Sequence, residues 1–174
     1  YPIYLLEGEV ITINLAITVM TRVRLEPYRG GVAVYSRDLA FGVEAPNAAA
    51  LPVGGPMDLV LRTARYCGVP ARTRVVTASD APRGSGLGAS SSLLVALLSA
   101  CGRRRGAGRR TGRGAGQTSE WRHLVEIAAR LEAQSIGAPT GKQDYYAALQ
   151  GGLNAIWFGL DLEEVEPLLP QRRL

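Results

Sequence analysis

Between Val10 and Leu25 the chain is rich in Ile, Val and Thr, and Val19, Thr21, Val23 and Leu25 alternate with Met20, Arg22 and Arg24. A period of two sends successive side chains to opposite faces, so this stretch predicts a half-buried strand. Turn-forming residues follow in Pro27-Tyr28-Arg29-Gly30-Gly31, and Val32 to Tyr35 reads as the returning strand of a hairpin. Residues 42 to 56 read as loop, punctuated by Pro46, Pro52, Gly54, Gly55 and Pro56. Asp58 to Cys67 reads as a helix stopped by Gly68-Val69-Pro70, and Arg74 to Ala78 as a short strand. No internal repeat is visible.

The pattern then changes. Asp80 to Ser92 is a strand-to-loop-to-helix transition, and the helix it enters, Leu93 to Leu98, is apolar on every face and therefore belongs in the core. Arg103 to Gly116 is a low-complexity Arg/Gly segment to which the composition assigns no regular structure. A second helix begins near Thr118 or Ser119, either able to cap it, and runs to about Ser135, where Gly137 and Pro139 end it. Leu153 to Phe158, introduced by Gly151-Gly152, reads as a strand.

A chain of 174 residues that is 47% hydrophobic can bury one sizeable core, so residues 1–174 are read as one domain. The formal charge of +5 and pI near 9.6 favour anionic partners without choosing among nucleotides, sugar phosphates, nucleic acid and membrane surfaces. Two cysteines, Cys67 and Cys101, and no visible signal peptide point to a reducing, cytoplasmic setting. No apolar run approaches the roughly 20 residues of a membrane span, so no membrane partner is expected. Opening on strand-like sequence without a methionine, the chain reads as a piece of a longer protein.

Candidate chemistry concentrates in two windows. In the first, Gly84, Gly86 and Gly88 let the backbone approach a ligand, and Ala89, Ser90, Ser91 and Ser92 stand where a buried helix begins. Unpaired amides at the positive end of a helix make a phosphate cradle, and the hydroxyls suit phosphate oxygens or a magnesium ion. The second window holds a carboxylate on an apolar face. Counted at 100° per residue, Trp121, Leu124, Val125, Ala128 and Leu131 form an inward stripe, and Glu132 shares it. An inward carboxylate must be paired or metal-bound, whereas Glu126 and His123 point outward. Gly137 to Gln143 does not make a Walker loop, because the spacing between glycines is too short and Gln143 replaces the required Ser or Thr.

The string Pro82-Arg-Gly84-Ser85-Gly86-Leu87-Gly88-Ala89-Ser90-Ser91 resembles the second signature of the GHMP kinases, with Ala89 in place of the first of two serines. Gly141-Lys142-Gln143-Asp144-x-Tyr146 with Gly151-Gly152-x-Asn154 is similar to heptose 7-phosphate kinase-like members of that family. The resemblance implies an α/β (α+β) fold of the ribosomal S5 domain 2-like type, forming the N-terminal, ATP-binding lobe. It implies that Pro82, Gly84, Ser85, Gly86, Leu87, Gly88, Ala89, Ser90 and Ser91 bind the nucleotide, that Ser90 and Glu132 hold Mg2+, and that Asp144 orients or deprotonates a sugar hydroxyl. Lys142 would contact phosphate or substrate. The family's first signature is expected before Tyr1 and its C-terminal lobe after Leu174; the Arg/Gly insertion at 103–116 departs from the family.

The implied activity is ATP-dependent phosphorylation of a sugar phosphate, a heptose 7-phosphate at its anomeric hydroxyl, with a fucose or galactose kinase and a noncatalytic relative as alternatives. From a different class, Arg103-Arg104-Arg105 with Arg109, Arg110 and Arg113 could serve a nucleic-acid-binding module. The absence of interleaved aromatic residues that would stack on bases argues against it. The sequence leaves the oligomeric state open.

Overall fold

The structure is a computed structural model that describes residues 7–82, 84–104, 115–160 and 163–168. The strands are β1 (Val10–Leu15), β2 (Thr21–Pro27), β3 (Val32–Ser36), β4 (Phe41–Ala45), β5 (Thr73–Ser79), β6 (Leu153–Phe158) and β7 (Glu163–Pro167). The helices are α1 (Asp58–Tyr66), α2 (Ala89–Arg104), α3 (Ala115–Ile136) and α4 (Gln143–Gln150). One sheet has the order β2-β5-β3-β4 and the other β1-β6-β7.

The α/β class is as expected, but the first strands part company. Val10 to Leu25 divides between two sheets: β1 pairs antiparallel with β6, while β2 pairs antiparallel with β5. The expected hairpin between β2 and β3 does not form, because β5 lies between them, antiparallel to β2 and parallel to β3. Arg72, just before β5, accepts a hydrogen bond from the Tyr28 amide and donates its own to Gly31, so the incoming chain splits the turn that would have closed the hairpin. Only glycine fits at 31, since a Cβ there would stand 2.1 Å from the Ala45 carbonyl oxygen. Ala45 belongs to β4, a strand that runs into the stretch read as loop; its five residues pair antiparallel with β3. Two short 3-10 turns, Ala48–Ala50 and Gly55–Met57, then lead into α1.

The all-apolar helix behaves as its sequence demands. Leu97 of α2 lies in a core with Val32, Val34, Leu61 and Val75, whereas Leu94 and Val95 lie in a second core with Val125, Tyr145 and Ile156. The helix thus joins two cores, and Leu98 packs against both. On α3 the predicted stripe is inward: Val125 and Ala128 are fully buried and Leu131 nearly so, while His123 is exposed. That helix starts at Ala115, three residues before the expected caps, whose side chains lie outside the described residues. Of the Arg/Gly segment, residues 105–114 lie outside the described residues, and its flanks extend α2 and α3.

Candidate active site

The loop between β5 and α2 has three glycines in the left-handed region, Gly84 at φ 72°, Gly86 at 69° and Gly88 at 67°. These conformations cost a side-chain-bearing residue free energy, so the glycines fix the loop's path. The helix opens with the Ser92 amide donating to the Gly88 carbonyl at 2.9 Å, which leaves the amides before Ser92 without an intrahelical acceptor. Positive potential at this helix end is therefore aimed into the loop.

Glu132 comes from α3, and its carboxylate meets that helix start. Ser90 Oγ donates to Glu132 Oε1 at 2.6 Å, and Thr140 Oγ1 donates to Oε2 at 3.3 Å. Tyr145 also donates its hydroxyl to Oε2, and Ser91 Oγ lies 3.5 Å from the same atom. Glu132 is 7% exposed, and among the described residues no Lys or Arg pairs with it. Hydroxyl donors meet part of the hydrogen-bonding capacity of this buried carboxylate and leave room for an oxygen-seeking partner. Burial first, and then the bond to Glu132, pushes the Tyr145 hydroxyl well above its usual range, so it stays a proton donor.

Asp144, in the first turn of α4, comes against the same loop at Gly88. A Cβ built on Gly88 would lie 3.2 Å from Asp144 Cγ, so any side chain there would crowd the carboxylate and push it back by a few tenths of an ångström. Burial, followed by the nearby charge of Glu132, raises the Asp144 carboxyl above the ordinary aspartate value. A cleft of about 240 Å³ opens here, lined by Asn14, Ile17, Gly86, Gly88, Ser92 and Asp144 among others. Asn14, Ser92 and Asp144 supply its polar side chains, while Leu15, Ile17, Val19 and Leu87 supply apolar surface.

The GHMP kinases N terminal domain matches residues 56–152, a span that includes the glycine loop, Glu132 and Asp144. The chain belongs to the GHMP kinase family. Among curated relatives, the D-glycero-alpha-D-manno-heptose 7-phosphate kinase of Campylobacter jejuni is 34% identical over 89 residues, covering 47% of this chain and 21% of that enzyme. A heptose 1-phosphate kinase structure from Bacteroides thetaiotaomicron matches 98% of this chain and 54% of its own, with TM-score 0.78 and 26% identity. A sugar kinase structure from Campylobacter jejuni matches 91% of this chain and 50% of its own, with TM-score 0.74 and 25% identity. This chain therefore spans about half the length of those two solved GHMP proteins, and its match covers a fifth of the curated relative.

The structure brings Ser90, Ser91, Glu132, Asp144 and the glycine loop together. Lys142 is not among the residues lining the cleft; its ammonium lies 2.5 Å from Glu126 Oε1 and 2.8 Å from Glu163 Oε2. Glu126, expected to point outward, is half-buried by this pairing. Thr140, Tyr145 and Glu163 escaped sequence reasoning. The first two flank the Gly-Lys-Gln-Asp segment and only their hydroxyl contacts mark them, while Glu163 sits in a charged tail that carries no obvious strand pattern yet forms β7.

Proposed function

We propose that this chain is the nucleotide-binding half of an ATP-dependent sugar kinase that transfers the γ-phosphoryl group to a heptose 7-phosphate at its anomeric hydroxyl. One observation carries the reading: the serine end of the glycine loop, the buried Glu132 and the cleft-lining Asp144 converge where a phosphate, a cation and a hydroxyl would have to meet. The sugar follows the heptose phosphate kinases that this chain resembles.

In this reading the nucleotide phosphates lie on the amides of the loop and of the first turn of α2, where the helix end favours anions. The sugar hydroxyl lies in the cleft beside Asp144. Its oxygen bonds to the γ-phosphorus as the bond to ADP breaks, ADP departs, and the hydroxyl proton passes to the Asp144 carboxylate. A carboxyl raised by burial is a stronger base than an exposed aspartate, which suits this task.

Magnesium fits the residues present. Ser90 and Glu132 offer only oxygen donors, and among the described residues no group of three His, Cys, Asp or Glu side chains gathers to hold an ion without substrate. That pattern suits a cation bound by one or two protein oxygens plus phosphate oxygens. When bound, the ion supplies positive charge to the phosphates; Ser90 and Glu132 would hold it, and Thr140 and Tyr145 orient the carboxylate.

Phosphorus NMR on this chain with ATP, magnesium and heptose 7-phosphate tests the assignment. A new anomeric phosphate resonance is expected, and Asp144→Asn should slow its appearance by about 100- to 10,000-fold while nucleotide binding persists. Turnover of galactose or fucose in preference to the heptose phosphate would overturn the substrate.

A further inference from the structure

Lys142 sits at the entry to α4, two residues before Asp144, and its side chain is 14% exposed. Its ammonium is held by two carboxylates from different elements, Glu126 of α3 and Glu163 of β7. Glu163 is itself fixed: the buried Tyr146 donates its hydroxyl to the other carboxylate oxygen, and Arg122 of α3 donates to its backbone carbonyl. On the opposite side, the Asn14 amide donates to the Gln143 carbonyl at 2.9 Å and ties the same turn to β1. A lysine with both acidic partners at contact distance has its charge satisfied and little left to offer a phosphate. An ammonium that were free for substrate would not stand between two carboxylates.

We propose that Lys142 is a positioning residue: clamped between Glu126 and Glu163, it fixes the first turn of α4 and thereby sets where Asp144 stands against Gly88. The clearance there is small, since the Asp144 carboxyl lies within 3.2 Å of the place a Cβ on Gly88 would occupy, so a modest shift of the turn moves the carboxylate relative to the loop. Geometry at a reacting group matters steeply, and a displacement near 1 Å costs about 100-fold in rate. The kinetic consequence rests on the kinase reading of the site; the structural one does not.

The test compares Lys142→Met, Lys142→Arg and Glu163→Gln, with Arg130→Ala as a control that removes only the exposed partner of Glu126. Backbone amide NMR of this chain is read first. The clamp predicts that Lys142→Met and Glu163→Gln both shift the Gly88 and Asp144 amide signals, while Lys142→Arg shifts them less and Arg130→Ala leaves them in place. In the phosphoryl-transfer assay, Lys142→Met and Glu163→Gln should lower kcat by a similar factor, on the order of 100-fold, with KM for ATP and sugar phosphate within about twofold of the parent. Lys142→Arg should recover part of the loss.

A rise in KM confined to the Lys142 variants, with Glu163→Gln silent, would overturn the proposal in favour of direct substrate contact. Unmoved Gly88 and Asp144 signals in folded Glu163→Gln would overturn it as well. If the parent chain turns over no sugar phosphate, the kinase reading fails separately, and the amide shifts still decide the clamp. Should Lys142→Met not fold, Glu163→Gln and Lys142→Arg carry the same comparison.

Discussion

Gly88 is the residue on which loop, helix and carboxylate depend together. Its φ of 67° and the 3.2 Å from a notional Cβ to Asp144 combine a conformational demand with a spatial one. Gly88→Ala should cost about 1–2 kcal/mol of stability from the left-handed backbone alone, read as a lowered urea midpoint at unchanged slope. It should also displace Asp144, so nucleotide-dependent turnover should fall further than stability does. Glu132 was legible from the sequence, since counting around α3 places one carboxylate on an apolar face. Its partners were not: four hydroxyls from three separate segments surround it, and hydroxyl residues carry no periodic signal. The carboxylate pairing of Lys142 was not legible for a related reason, because one of its two acids lies 21 residues later in β7.

At the scale of elements, the junction of α3, α4 and β7 is held by charge, and its acid response follows. The hydrogen bond from Lys142 holds the Glu126 carboxyl below its ordinary value of 4.5. At Asp58, burial opposes ionisation, yet the bonds from Arg62 and Ser135 hold that carboxyl below the ordinary 3.8. A carboxyl depressed by folding contributes stability that is complete above its unfolded value and is lost as pH falls through the folded one. Stability should therefore decline as pH drops below about 4.5, and Lys142→Met should flatten the part of that decline due to Glu126. Chemical denaturation at a series of pH values, for the parent and Lys142→Met, checks this; an unchanged slope would contradict it. The same scale explains the misread hairpin. Two strand-like runs flanking a Gly-Gly turn favour local pairing, but the parallel strand β5 returns through α1 and outcompetes it. Local pattern reports which segments are strands and not which strands are neighbours, whereas α1, β5 and β6 carry their own boundaries and were found at or near them.

For the molecule as a whole, α2 is the connection between two cores, so neither should melt without the other. Leu94→Ala, at a site 1% exposed, should cost about 2–5 kcal/mol and shift tryptophan fluorescence and far-ultraviolet circular dichroism together. Separate midpoints for the two signals would show that the cores unfold independently. The outer face of the β1-β6-β7 sheet behaves differently. Ile13 of β1 is 58% exposed, so Ile13→Thr should change stability by no more than about 0.5 kcal/mol in the same denaturation experiment. The family's glycine loop, a helix-borne glutamate and a helix-start aspartate lie close together, and the kinase account stands on their acting as one site. Calorimetric titration of ATP into this chain, with and without magnesium, tests that most directly when repeated on Ser90→Ala and Glu132→Gln. The account predicts binding that strengthens with magnesium and loses that gain in both variants; ATP binding indifferent to magnesium and to both substitutions would contradict it.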